Sequence, residues 1–546
     1  MVFETKNTDE NVVKTRSIHK HLEEHYDEHV DSLLPNDYHR GDITSSNRLL
    51  AYSDAVMATC ATFLVLPIRN LKKQTENQSL SNFIEKISGE FIIFFLGFLI
   101  ILTIWENMNI RAIVIKRVDD FILTLVTFEM LVTTVLPFTL ALQGHYPTEK
   151  VSVLATCVTL GVLQILDFGI ILYATQSPDL LHVNLKKWDK SDLRELTLIM
   201  IFRPVVSLIL LVIAGAFCLV HFGISWAFIA LLIFMPTVRK FYWFIRRRLV
   251  KVEKSEKNLF LEHYSKGNIS KERIEIMSDA AIAIIACILI LDITVEEFPN
   301  PDKVLKSGHS LIYSLKHMTS EFLTFLATFC LVSALWYINH AVLHLVETVN
   351  SIMLYLQKIF LSFCCLTPLA GNMVLHFGIH SDSDSSIAIR FASMIVFISS
   401  TANLFIYLYG NLTGSKYFYE WASFEHYWKN KRQHIYYLAK ALNIPFWSLI
   451  CTLGTLGSHS ASPYVLYITF LASPCSFFAS KLILMNHVGK TGRNLRKTIL
   501  RRKSLIKEKP VPANNENELI SPIDMITTSL ETRYPESYTM KNENFN

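Results

Sequence analysis

Two short segments carry the same arrangement of charged and hydroxyl groups. Residues 48–54 read R-L-L-A-Y-S-D and residues 273–279 read R-I-E-I-M-S-D, so Arg48, Ser53 and Asp54 recur as Arg273, Ser278 and Asp279. Each aspartate lies just inside an apolar run, where a carboxylate is expensive unless paired or wetted. At 100° per residue, Arg48, Tyr52, Ala55, Thr59, Thr62 and Leu66 share one stripe of a helix. Arg273, Met277, Ala280, Ile284, Cys287 and Leu291 form the matching stripe in the second segment. Asp54 lies about 140° from Thr59 on such a helix, which points it into a bundle and away from the stripe. The pattern thus suits passage of ions along the stripe, with each Ser-Asp pair anchoring its helix to its neighbours.

Other ionisable groups fall at membrane depth. Glu129, Asp167 and Arg203 sit in apolar runs, where they serve either as a proton or ion relay or as internal ion pairs. Asp292, Glu296 and Glu297 close the run that begins at 274, and a carboxylate cluster there raises the local cation concentration at a pore mouth or forms a solvated loop face. His21, Glu24 and His25 match an H-x-x-E-H spacing, but in a polar tail with nothing to complete a site they read as a solvated helix. No phosphate-binding loop, dinucleotide fingerprint or catalytic triad signature occurs, so neither an enzyme nor a nucleic-acid binder is expected. All nine cysteines fall in apolar runs without a CxxC pair, which reads as packing, and no cofactor or metal is called for.

The elements that must hold these residues are transmembrane helices. Half of the 546 residues are hydrophobic and mean hydropathy is +0.31, although both ends are polar. Crossing ~30 Å of hydrocarbon takes about 20 apolar residues. The chain offers twelve such runs, at 49–68, 91–113, 121–143, 150–174, 197–222, 224–245, 274–293, 320–346, 352–378, 386–412, 435–458 and 463–485. The sixth and eleventh are the weakest. No apolar run precedes residue 48, so the first span is expected to direct insertion itself. Lys and Arg gather in the even-numbered connections and after residue 489, which puts both termini in the cytoplasm.

A repeat organises the spans. Glu90, Phe91, Phe94, Phe98, Trp105 and Pro137 recur 231 positions later as Glu321, Phe322, Phe325, Phe329, Trp336 and Pro368. The expected fold is an all-α polytopic membrane protein of about twelve transmembrane helices in two parallel six-helix repeats. Its divisions are a polar cytoplasmic tail (1–47), the first repeat (48–245), a cytoplasmic linker (246–272), the second repeat (273–485) and a basic, then disordered, cytoplasmic tail (486–546).

The runs R-L-L-A-Y-S-D-A-V-M-A and E-R-I-E-I-M-S-D-A-A-I-A-I-I-A-C-I-L-I-L-D, with the two tryptophans, resemble the transmembrane protein 175 family of endosomal and lysosomal potassium channels. The resemblance covers about residues 48–485. It implies a homodimer in the lipid bilayer that passes potassium ions and protons, with a pore lined by the first helix of each repeat from both subunits. The family's apolar constriction, five positions after the motif aspartate, maps to Thr59 and Ile284; the following pore-lining positions map to Thr62 and Cys287, then Leu66 and Leu291. Ile284 matches the family pattern and Thr59 departs from it, which bears on selectivity. Tyr52 and Met277 stand at the motif aromatic, while Met108 and Asn339 replace a family histidine, which implies a rewired hydrogen-bond network. Without the resemblance, six plus six spans suggest a secondary transporter of the major-facilitator kind. Such transporters break their site helices with Gly or Pro, whereas the first spans here lack Gly and stay uninterrupted until Pro67.

Overall fold

The computed structural model describes residues 44–69, 80–236 except 183, 184 and 187, scattered positions from 245 to 267, 269–291, 316, 318–378, 383–413, 417–419, 422, 427–457 and 459–507. It divides into two units, residues 1–485 and 486–546. The first unit holds the bundle.

The first half runs through α1 (Asn47–Phe63), a short α2 (Leu66–Arg69), α3 (Leu80–Val114), α4 (Asp120–His145), α5 (Lys150–Gln176), α6 (Lys190–Phe217) and α7 (Phe222–Leu231). The second half follows with α8 (Lys271–Leu291), α9 (Thr319–Leu345), α10 (Ser351–Cys364), α11 (Thr367–Phe377), α12 (Ser383–Leu412), α13 (Tyr427–Gly454) and α14 (Ser462–Lys507). Of the second unit, the helical backbone of α14 to Lys507 is what the structure describes.

Ten stretches among the described residues are long and apolar enough to cross a membrane, with α1 joined to α2 and α10 to α11. The remaining two expected spans fall on α7, which continues as apolar helix only to Phe234 among the described residues, and on α13, which is long enough but more polar. Helical bonding within each segment satisfies the backbone, the condition for life in hydrocarbon. Large apolar side chains cover the outside of the bundle, among them Phe138, Leu198, Val220 and Leu412, the surface expected to face lipid.

Prolines set the breaks. Pro67 has no N–H and clashes with the carbonyl four residues back, and α1 ends at Phe63, four residues before it. Pro368 acts likewise, and α10 ends at Cys364. Pro137, the repeat counterpart of Pro368, lies inside a continuous α4. The two halves have therefore diverged at a matched residue.

One apolar core runs through both halves, from Met57, Phe94 and Phe98 to Ile285, Phe360 and Ile406. A two-stranded antiparallel pair, β1 (Thr44–Ser45) with β2 (Arg117–Val118), ties the chain before α1 to the connection between α3 and α4. A bridge between Ile115 and Leu181 extends the tie to the segment after α5. In the second half a bridge joins Val346 to Phe418. Gly410 makes that approach possible, because a Cβ there would lie 2.0 Å from the Phe418 ring.

Candidate functional site

The two motif helices, α1 and α8, pack against each other inside one chain. Ser53, Asp54 and Ser278 are buried in this contact. Trp105 of α3 donates its indole N–H to Asp54 Oδ1 at 2.8 Å. Arg273 then crosses between halves: its Nη2 lies 2.8 Å from Asp54 Oδ2, and its Nε donates to Asn109 Oδ1 at 3.0 Å. A fully buried carboxylate is tolerable when a charge and a hydrogen bond meet it, and Asp54 has both.

The second copy of the motif is built alike but left open. Trp336 donates its indole N–H to Asp279 Oδ1 at 2.7 Å. Yet Asp279 is exposed, Trp336 is 38% exposed, and among the described residues no cation pairs with Asp279. Arg48, the counterpart of Arg273, is also exposed and makes no ion pair among the described residues. One Arg-Asp-Trp unit is closed within the chain, and the parts of a second stand separately at its surface.

The stripes divide unevenly between core and surface. In α1, Arg48, Tyr52 and Ala55 are exposed and Thr59 is half-buried, as is Leu66 at the start of α2. Thr62 is fully buried, with its hydroxyl donating to the carbonyls of Ala58 and Thr59. Phe63, 40% exposed, takes the outward place at that level. The geometry explains the exchange, since on a helix position 63 lies about 40° from the direction of Thr59 and position 62 about 60°. In α8, Cys287 and Leu291 are exposed and Ile284 is half-buried, while Met277 is buried where Tyr52 is exposed. Thr59 donates its hydroxyl to the Ala55 carbonyl at 2.7 Å, so its methyl and its already engaged oxygen are what it offers outward. Asp292, Glu296 and Glu297 lie outside the described residues.

Behind the motif helices lie buried charges. Arg111 of α3 pairs with Glu129 of α4 at 2.8 Å and with Asp167 of α5, and Arg203 of α6 closes on the other Asp167 oxygen. The four charges balance, so Glu129, Asp167 and Arg203 act as internal ion pairs. The second half puts neutral amides in the matching layer: Asn339 donates to Asn403 at 2.7 Å and to Gln357 at 2.9 Å, and Gln357 donates onward to Ser278. Asn339 is thus wired into the motif serine of α8. In the first half Met108 is apolar, and a cavity lined by Ser46, Ser53, Met108 and Arg111 lies where the second half has that direct link. Between halves, Lys358 of α10 meets Glu106 of α3 at 2.8 Å, both deeply buried. Arg111, Glu106 and Lys358 escaped the sequence reading, although each is a charge inside an apolar run, the same signal that marked Glu129.

A family profile described as "Endosomal/lysosomal potassium channel TMEM175" matches residues 48–137 and 273–368, each segment opening on a motif arginine. The chain is 26% identical over 445 residues to a Danio rerio protein named "Endosomal/lysosomal proton channel TMEM175", covering 81% of this chain and 84% of that one. A Homo sapiens protein of the same name is 26% identical over 452 residues, covering 81% and 87%. A solved bacterial structure, "Crystal structure of a lysosomal potassium-selective channel TMEM175 homolog from Chamaesiphon Minutus", is 19% identical and covers 38% of this chain and 97% of that one, with a TM-score of 0.30.

Proposed function

We propose that this chain, which belongs to the transmembrane protein 175 family, is a cation channel of endosomal and lysosomal membranes that passes potassium ions and protons. The observation that carries the reading is the pairing of α1 with α8 through Asp54, Trp105 and Arg273, which holds the two motif helices side by side with part of each stripe turned out of the chain. Two copies related by a two-fold axis bring four such helices round one pathway. In that arrangement Arg48 of a second copy supplies the cation that Asp279 lacks, so the same Arg-Asp-Trp unit forms four times. Self-complementary contact of this kind is what a two-fold interface requires.

The narrow point lies at Thr59 and Ile284. Apolar constrictions gate by dewetting, and a ring of two isoleucines and two threonines is wider and more easily wetted than four isoleucines. Cys287, Leu66 and Leu291 line the pathway beyond it, with Phe63 in the place first assigned to Thr62. Asp292, Glu296 and Glu297 are assigned to the luminal mouth from the sequence, and the domain divisions and cytoplasmic termini are likewise those of the sequence reading.

Recording from the purified protein in planar bilayers tests the proposal, first with potassium on one side and sodium on the other, then under a pH gradient. A reversal potential set by potassium, moving with pH, is the expected result. Electrically silent bilayers that contain verified protein would discard the channel reading.

A further inference from the structure

A second cluster of charge lies away from the motif helices' paired face. Lys440, in α13, is only 6% exposed. Its ammonium sits 3.7 Å above the centroid of the Tyr337 ring of α9, and it has no carboxylate partner among the described residues. Cation–π contact offsets part of the cost of burying an ammonium but supplies no counter-charge. The neighbourhood adds more positive charge. Lys440 feels the field of Lys481 from α14, and His344 of α9 feels Lys440, Lys271 and His340 together. Among the described residues the one carboxylate in that field, Glu275, already faces Lys271 at 3.6 Å. A buried cation beside other cations, with the nearby acid engaged, calls for an anion from outside the chain.

The depth of the cluster indicates which anion. Lys271 opens α8, His340 and His344 lie in the last turns of α9, Lys440 is five residues past the start of the span expected at 435, and Lys481 is near the end of the span expected at 485. Starts of the first and fifth spans and ends of the second and sixth spans of one six-helix repeat fall on the same membrane face. Tyr337, Tyr436, Tyr437 and Phe477 surround the site, with Phe477 edge-on to Tyr337. Tyrosines mark the level of the lipid headgroups, where the ring meets hydrocarbon and the hydroxyl meets water. Exposed Leu482 and Ile483 continue the surface beside Lys481 as one suited to acyl chains. Basic pockets between transmembrane helices at this level bind acidic headgroups.

We propose that Lys440, with the exposed Lys481 near it, binds the phosphate of an anionic phospholipid headgroup. The inference rests on the spans and their order, not on conduction.

The test uses the purified full-length protein in nanodiscs of phosphatidylcholine with or without phosphatidylserine, followed by native mass spectrometry of the lipids retained after release into detergent. Wild type is expected to retain phosphatidylserine in preference to phosphatidylcholine. Lys440→Gln should cut that retention about fivefold, the weight of one lysine near an acidic headgroup. Lys440→Arg should keep most of it, and Lys150→Gln, at the opposite face, should change nothing. Should Lys440→Gln fail to fold, exposed Lys481→Gln serves in its place with a loss of the same kind. Wild-type retention in folded Lys440→Gln, or in Lys481→Gln where that variant stands in, overturns the site. Inorganic phosphate displacing the lipid at millimolar level, with no preference between the two lipids, would assign the cluster to a free anion and overturn the lipid.

Discussion

Arg273 reaches from the second half of the chain to Asp54 in the first, 2.8 Å from its Oδ2, and so seals a carboxylate with no solvent exposure. Arg48, its repeat counterpart, is exposed. The two arginines should therefore fail differently. Arg273→Gln leaves a buried charge unpaired, which costs about 3–5 kcal/mol, and should lower the melting temperature of the purified protein by several degrees. Arg48→Gln should leave melting near wild type and raise the monomer fraction in mass photometry. Equal melting shifts in the two variants, with unchanged dimer content, would contradict the proposed second-copy contact.

Asp54→Asn and Asp279→Asn separate anchoring from ion binding. Both carboxylates accept an indole N–H, and each lies about 140° round its helix from the residue proposed at the constriction. Asp54→Asn should destabilise the protein more, because it removes the partner of a buried guanidinium. Neither substitution should move the potassium-to-sodium permeability ratio, measured from bi-ionic reversal potentials. A shifted ratio in a variant that folds normally would make that aspartate part of the permeation path.

Ile284 and Thr59 should respond in opposite directions. Ile284→Asn wets the constriction and should raise current or loosen selectivity. Thr59→Ile restores an apolar side chain at the matching level and should reduce current. Single-channel recording at matched protein density reads both, and unchanged currents from Ile284→Asn would remove Ile284 from the gate.

Glu106 and Lys358 should behave as a unit. Each is buried, and removing one leaves the other charged and unmatched, at a cost of about 3–5 kcal/mol. Glu106→Gln or Lys358→Met alone should lower the melting temperature by several degrees. The double variant should recover most of the loss, since replacing a whole buried pair is far milder. A double variant as unstable as the sum of the two singles would show that the pair does not interact.

Hydropathy runs foretold the ten helices that are long and apolar enough to span among the described residues, because length and composition alone mark a span. The two runs read as weakest, the sixth and the eleventh, are the two outside that set: the apolar helix at α7 is described to Phe234, and α13 opens on Lys429, Lys431 and Arg432 and carries His434, Lys440 and Asn443. The angular argument correctly turned Asp54 inward, but it could not choose between Thr62 and Phe63, which lie within about 100° of each other. The partners of the motif were beyond its reach. Nothing in a periodicity says that Trp105, 51 positions away, or Arg273, in the other half, meets Asp54. Lys358 and Glu106 are 252 residues apart, and each alone reads as a defect in an apolar run.

The charges between the halves carry a further meaning. Among the described residues, both ion pairs that cross this interface put the acid on the first half, Asp54 and Glu106, and the base on the second, Arg273 and Lys358. Two first halves laid together would bury carboxylate against carboxylate, and two second halves would bury cation against cation. Repeats that arose as copies of one unit can no longer replace one another. Expressed as separate polypeptides, they should find each other and refuse themselves, so a gene cut in two in the 246–272 linker would still encode one machine.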